Sequence, residues 1–528
     1  MSSQEFAIYS SNIFTGIPRQ LWAEAVGIKN GCIAVVGTNQ EVKSALPNAK
    51  AVELPGRLVS PGLVDAHCHF VSYARAQLMI DLTGLPSIEG CRNIIKEAVS
   101  KAKPGQWLIG RGWNHHLWKE NRVPAKEDLD DISPDNPLLM IRVCGHSEWL
   151  NSKALQLAGI TPESPDPPGA RFDRDAGGEL TGLLHEARDL IMEIIPPVGD
   201  DELKTTVHAA QSELLSLGLT GVHTCESLEE WKLLREMDQN NQLKLRVHHL
   251  IQSYDLNEAD GLNLSWGKGN QQLWIGHLKL FADGSLGSTT ALMHESYEGD
   301  PDNYGIHCLD ADELKHYVLE AYKRGLSVAI HAIGDKAGTN ALDAIANGRK
   351  QYPGLWRDRI EHVQLYKSED LARYRDMGIV ASVQPIFVPS DWHVADKLWG
   401  NKRCSTRAYA WKTLMENDIQ LQFGSDAPIE QIRPILGLQA AVLRQTSDLK
   451  PEGGWQPQQR LTLEESLAGF TRTAAWTSQK EDYSGSLLPG NWADLTVFEK
   501  DLTVTPAREW HNVDVEMTII NGEIVYRK

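Results

Sequence analysis

Residues 61–70, Pro-Gly-Leu-Val-Asp-Ala-His-Cys-His-Phe, end an apolar run in two histidines spaced i, i+2. Alternate side chains of a strand share a face, so His67 and His69 project together, with Asp65 one step beneath them. Two neutral imidazoles at a strand terminus begin a divalent-cation site, which zinc, nickel or iron would suit. A lone His-x-His also arises by chance on a solvated strand face. What decides between the two readings is whether the chain supplies further ligands in matching positions.

The elements that must position such ligands are legible as apolar runs. The Leu-Val-Ser-Pro-Gly-Leu-Val stretch before the histidines reads as a strand buried on both faces, and in parallel α/β proteins catalytic groups gather where such strands end. Further strand-like runs end near residues 224, 250, 282, 331, 363, 384 and 425, with helix-patterned segments such as 310–325 and 335–350 between them. Eight strands alternating with helices predict a (β/α)8 TIM-like barrel. About 150 residues separate the first two runs, where one crossover helix would suffice, so an insertion is expected there. Residues 5–58 and the stretches 493–499 and 515–527 read instead as short β segments, with Asn-Gly turns at Asn30-Gly31 and Asn521-Gly522. The expected organisation is a small β-sandwich domain formed from both chain termini (1–58 with 485–528), a barrel over 59–484, and an insertion subdomain over about 75–205.

Polar residues at the C-terminal ends of the predicted strands are His67 and His69 on the first, Lys279 on the fourth, His331 on the fifth, His362 on the sixth and Asp426 on the eighth. Composition narrows what such a site serves. At 41% hydrophobic and 23% charged residues the chain is an ordinary globular one, and its net charge of −18 argues against nucleic-acid and anionic-membrane partners. Seven scattered cysteines without a Cys-x-x-Cys fit a reducing compartment, and a cytoplasmic location is expected.

The segments PGLVDAHCH (61–69), GHSEWLNSKAL (145–155), HLKLFADGSLGS (277–288), IHAIGD (330–335), RIEHVQ (359–364), GSDAPIE (424–430) and LLPGNWADLTVF (487–498) resemble the amidohydrolase superfamily, in its amidohydrolase-3 or YtcJ-like branch. The resemblance implies two divalent metal ions per chain, zinc by default. His67 and His69 would hold one and His331 and His362 the other, a carboxylated Lys279 would bridge them, and Asp426 would bind the first metal and act as general base and acid. It implies attack of a metal-bridging hydroxide on an amide-type carbon–nitrogen bond of an N-acyl or N-formyl amine. Three alternatives stay open: a mononuclear deaminase or cyclic-amide hydrolase, a lactone or ester hydrolase, and a catalytically silent barrel protein.

Weaker candidates surround this set. His146 is read as contacting substrate or an oxyanion, or as capping local structure; His223 as a pocket residue; Arg433 as binding a polar substrate group or starting a helix. Sixteen tryptophans are many, and Trp107, Trp113, Trp118, Trp149, Trp392 and Trp399 either line an apolar pocket or glue the insertion to the barrel. If they line it, with Trp113 as a substrate contact, the partner is a small molecule with a bulky acyl or aryl group. The oligomeric state is left open, a homodimer included.

Overall fold

The computed structural model describes residues 5–143, 147–167 and 170–528. Eight parallel strands form the barrel wall: β1 (Leu63–Cys68), β2 (Leu219–Cys225), β3 (Arg246–Gln252), β4 (Leu273–Phe281), β5 (Val328–Ala332), β6 (Arg359–His362), β7 (Val380–Val383) and β8 (Leu421–Phe423). Each pairs with its successor in chain order. β2 and β3 are buried along their whole length, polar residues included, so neither shows the in–out alternation of a half-solvated strand.

The ring is drawn together between β8 and β1 by the segment that follows β8. The Asp426 amide donates to His67 O (2.7 Å) and the His69 amide to Ala427 O (2.8 Å). Asp65 fastens the same seam from beneath, its Oδ1 accepting from the amides of His67 and Ser425, both at 3.1 Å. Gly424 makes the approach possible, since a Cβ there would sit 2.5 Å from His67 N and 2.8 Å from His67 O. Gly424→Ala is therefore expected to push β8 off β1 at a cost of about 1–3 kcal/mol, the usual penalty for overfilling a packed site. A thermal midpoint equal to that of the parent protein would show that the seam yields.

Helices between strands follow ordinary rules. Ala311–Lys323 starts at Asp310, whose side chain accepts from the amides of Asp312 and Glu313, and it buries Leu314, Val318, Ala321 and Tyr322 along one face. Asp335–Gln351, entered through Gly334, follows β5 directly and begins at the barrel's C-terminal rim.

Both chain termini build one sheet. Its strand order is Glu523–Arg527, Val515–Ile520, Leu495–Phe498, Leu58–Pro61, Glu5–Ile17, Gln20–Lys29, Cys32–Gly37, with Lys50–Glu53 pairing beside Glu5–Ile17. Leu58–Pro61 joins the two ends, parallel to Asn12 and Ile13 and antiparallel to Leu495–Phe498. One apolar core, including Ile8, Val26, Val59, Leu495 and Met517, is shared by strands from both ends. Both Asn-Gly turns take positive φ: Asn30 at 54° and Gly31 at 79°, Asn521 at 50° and Gly522 at 71°.

Ala74–Thr206 is a compact unit of its own between β1 and β2. Its six-stranded sheet has the order Arg171–Arg174, Leu180–His185, Ser147–Leu150, Leu138–Arg142, Leu108–Trp113, Ile80–Asp81. Trp113, Trp118 and Trp149 pack against one another in its core with Leu82, Ile88 and Ile95. No described helix is long and apolar enough to cross a membrane.

Candidate metal centre

His67 and His69 leave β1 on the same side, and the turn after β8 brings Asp426 to them. Asp426 Oδ1 lies 3.3 Å from His67 Nε2 and 3.3 Å from His69 Nε2, and the three ligand atoms fall within 4.8 Å of one another. His362, at the end of β6, places its ring 5.0 Å from that of His67 and 4.4 Å from that of His331 on β5. The backbone is bent to achieve this, with φ of +75° at His362, +43° at Val363 and +60° at Asp426. Non-glycine residues hold such angles only where their surroundings over-determine them, which is common at functional sites.

Each imidazole is oriented by an acceptor on its far nitrogen. His67 Nδ1 donates to Glu361 Oε2 (2.5 Å), His69 Nδ1 to Cys225 O (2.8 Å), His331 Nε2 to Gly284 O (3.0 Å) and His362 Nδ1 to Gln384 Oε1 (2.8 Å). A carbonyl or carboxylate can only accept, so the proton of each neutral ring sits on that side and the other nitrogen keeps its lone pair. This is the arrangement of metal-ligating histidines with their supporting acceptors.

Lys279, on β4, is 1% exposed, and its Nζ has no hydrogen-bond partner. Its ammonium lies 4.9 Å from the centroid of the Phe281 ring. A buried cation with three unused donors beside three imidazoles is an unstable inventory, and it fits a centre whose remaining groups are cations and a lysine-borne anion.

Electrostatics sharpen the division of roles. Burial would raise the Asp426 carboxyl, but its close neighbours His67 and His69 outweigh it and hold the group well below the usual carboxylate range. Burial, followed by the Lys279 ammonium, pushes His331 down to about 4, so that ring is neutral at physiological pH. Burial also opposes charging of His67, but Glu361 and then Asp426 outweigh this and raise it.

Behind His67 stands a group that the sequence reading passed over. Glu361 and Arg359, two apart on β6, form a fully buried ion pair with Nε to Oε1 at 2.7 Å, and Arg359 Nη1 donates to His223 Nδ1 at 2.9 Å. Two opposite charges at i, i+2 directly before a strand-end histidine were the available signal. Asp283, just beyond β4, was missed as well; its carboxylate accepts from the amides of Leu292, Ile333 and Gly334 and so ties the loop after β4 to the start of the rim helix.

The six residues expected at strand ends therefore meet at one rim. The residues expected to contact substrate are placed differently. His223 is buried inside the barrel, committed to Arg359 and with its ring 4.6 Å from that of His248. Arg433 forms an ion pair with Asp514 of the terminal sheet region, Nη2 to Oδ1 at 2.8 Å. Trp113 is core of the insertion unit, with Nε1 donating to Met140 O. These three are occupied by structural contacts rather than turned to a ligand. His146 lies outside the described residues.

Residues 50–526 match the family model Amidohydro_3, described as the amidohydrolase family. The chain is 35% identical over 528 residues to the Bacillus subtilis (strain 168) protein YtcJ, itself assigned to the amidohydrolases, covering 98% of each chain. It is 26% identical over 544 residues to an N-substituted formamide deformylase of Arthrobacter pascens, covering 99% of each. Among solved structures, an uncharacterised metal-dependent hydrolase from Pyrococcus horikoshii OT3 superposes with a TM-score of 0.80 at 30% identity, over 95% of this chain and 99% of that one. The strand-end histidines, the buried lysine and the aspartate thus sit in a chain that belongs to the amidohydrolase family of metal-dependent hydrolases.

Proposed function

We propose that this protein hydrolyses an amide-type carbon–nitrogen bond of an N-acyl or N-formyl amine at a centre of two divalent cations, zinc by default. The observation that carries the reading is the meeting of His67, His69 and Asp426 with His331, His362 and an unpartnered buried Lys279. The deformylase relative, which acts on an N-substituted formamide by its name, supports the bond type.

His67, His69 and Asp426 would hold one cation, and His331 and His362 the other. Lys279 would lie between them after its ammonium has lost a proton and the freed amine has added to carbon dioxide, forming a carbon–nitrogen bond and releasing two protons in all, which turns a cation that repels metal ions into an anion that binds them. Cations bound there supply polarisation of the scissile carbonyl and a water whose pKa falls from about 16 toward about 7. Asp426, beside the cation that His67 and His69 would hold, would accept a proton from water and return it to the departing nitrogen. Phe281, 37% exposed with its ring 5.4 Å from that of His331, and Phe387, stacked on His362, offer apolar faces to a bulky acyl or aryl group.

Chelation followed by reconstitution, with a screen over N-formyl amines, N-acyl amines, cyclic imides and lactones, tests the assignment. Turnover restricted to lactones would replace the amide reading by an ester one. Gently handled protein is expected to carry the mass of one added carbon dioxide at Lys279, and Lys279→Met to bind one cation fewer. An active protein with unmodified Lys279 and one ion per chain would favour the mononuclear reading instead.

A further inference from the structure

We infer that the two cation positions are unequal, and that Glu361, held by Arg359, is the positioning residue that makes the His67–His69–Asp426 position the tighter and first-filled one. This rests on the two-cation reading above.

Of the four imidazoles at the rim, three are backed by neutral oxygens: Cys225 O, Gly284 O and Gln384 Oε1. His67 alone is hydrogen-bonded to a carboxylate; Asp283 Oδ1 is 3.5 Å from His331 Nε2, farther than the Gly284 O at 3.0 Å to which that nitrogen donates. Any acceptor fixes a ring's orientation, but an anion on Nδ1–H also pushes electron density to Nε2 and makes it a stronger ligand. Glu361 is itself immobilised, one oxygen on His67 and the other 2.7 Å from Arg359 Nε, while Arg359 Nη1 is braced on His223. Arg359, Glu361 and His67 are at most 1% exposed, so water neither screens nor replaces these contacts. A buried ion pair of this kind adds little stability beyond what well-packed apolar side chains would give. Its placement directly behind one metal ligand gives it a different use.

The donor sets differ in readiness as well. His67, His69 and Asp426 already lie within one ligand sphere of 4.8 Å, three donors that need no chemistry before binding. The other position has two imidazoles, and its third donor is Lys279, whose ammonium has no lone pair until carbon dioxide is added. The first position can therefore fill in decarbonated buffer, and the second waits for carboxylation.

The test is a titration of chelator-stripped protein with Co2+ alone, with and without bicarbonate, read by competition against a chromophoric chelator and by the visible absorption of the bound ion. The parent protein is expected to take one Co2+ in decarbonated buffer and a second when bicarbonate is added. Glu361→Gln should weaken the first step by about 10–100-fold, the usual effect of losing a supporting partner, and leave the second unchanged. Gln384→Leu should do the reverse. If Glu361→Gln does not fold, the double variant Arg359→Met with Glu361→Met removes both charges at similar volume and gives the same readout. Two equal steps in the parent protein, or a first step unmoved in folded Glu361→Gln or in the double variant, would overturn the inference. A parent protein that takes up no Co2+ under either condition overturns the two-cation reading itself.

Discussion

Asp426→Asn is expected to yield a folded, metal-loaded protein whose turnover falls by about 10²–10⁴-fold, the range seen when a positioned acid–base group is lost. The asparagine keeps the shape, and its amide oxygen can still face the cation bound by His67 and His69, whose Nε2 atoms lie 3.3 Å from the carboxylate oxygen it replaces. What disappears is the capacity to take a proton and give it back. The decisive measurement is kcat alongside the cation count per chain. Near-normal kcat would remove Asp426 from proton transfer and leave it a ligand only, whereas loss of both cation and turnover would mean that its charge is needed for binding before it is needed for chemistry.

Arg359→Met is the second change with a large expected effect, and its target is stability. Removing the guanidinium strands the Glu361 carboxylate, which is fully buried, with His67 as its remaining partner. Breaking a buried pair on one side costs about 3–5 kcal/mol, because the surviving charge is left uncompensated, while replacing both members with apolar side chains is often neutral. The single variant should therefore unfold at a clearly lower temperature than the double variant Arg359→Met with Glu361→Met. Equal midpoints for the two would mean that water or a shifted side chain reaches Glu361 in the single variant.

The barrel was readable because its strands are buried on both sides and end abruptly in polar residues. LSVAIH running into His331 and DRIEH into His362 give both the strand and the ligand in one phrase. What alternation could not convey was direction at the strand ends. His362 sits at φ +75°, so the two-residue rhythm that puts Arg359 and Glu361 on one face is broken where the functional side chain begins. Glu361 was therefore passed over beside the histidine that drew notice. Trp113 was read as a possible pocket wall because a buried indole and a ligand-lining one have the same sequence signature; only the hydrogen bond to Met140 O and the packing on Trp118 and Trp149 distinguish them. Arg433 stands close after Asp426 in the chain, but its partner Asp514 is 81 positions away, beyond the reach of local pattern. The insertion was legible by its length alone, since its short strands alternate with turns and carry none of the long apolar runs that mark the barrel.

Leu58–Pro61 pairs on one side with Asn12 and Ile13 and on the other with Leu495–Phe498. On the ribosome these partners emerge roughly 430 residues apart, which at about 5–20 residues per second leaves the early strand waiting about 20–90 s for its mate. During that interval one flank of Leu58–Pro61 is bare backbone, open to chaperones or to a neighbouring nascent chain. Because β1 follows only one residue after Pro61, the arrival of Leu495–Phe498 is also the moment when the root of the metal-bearing strand is anchored.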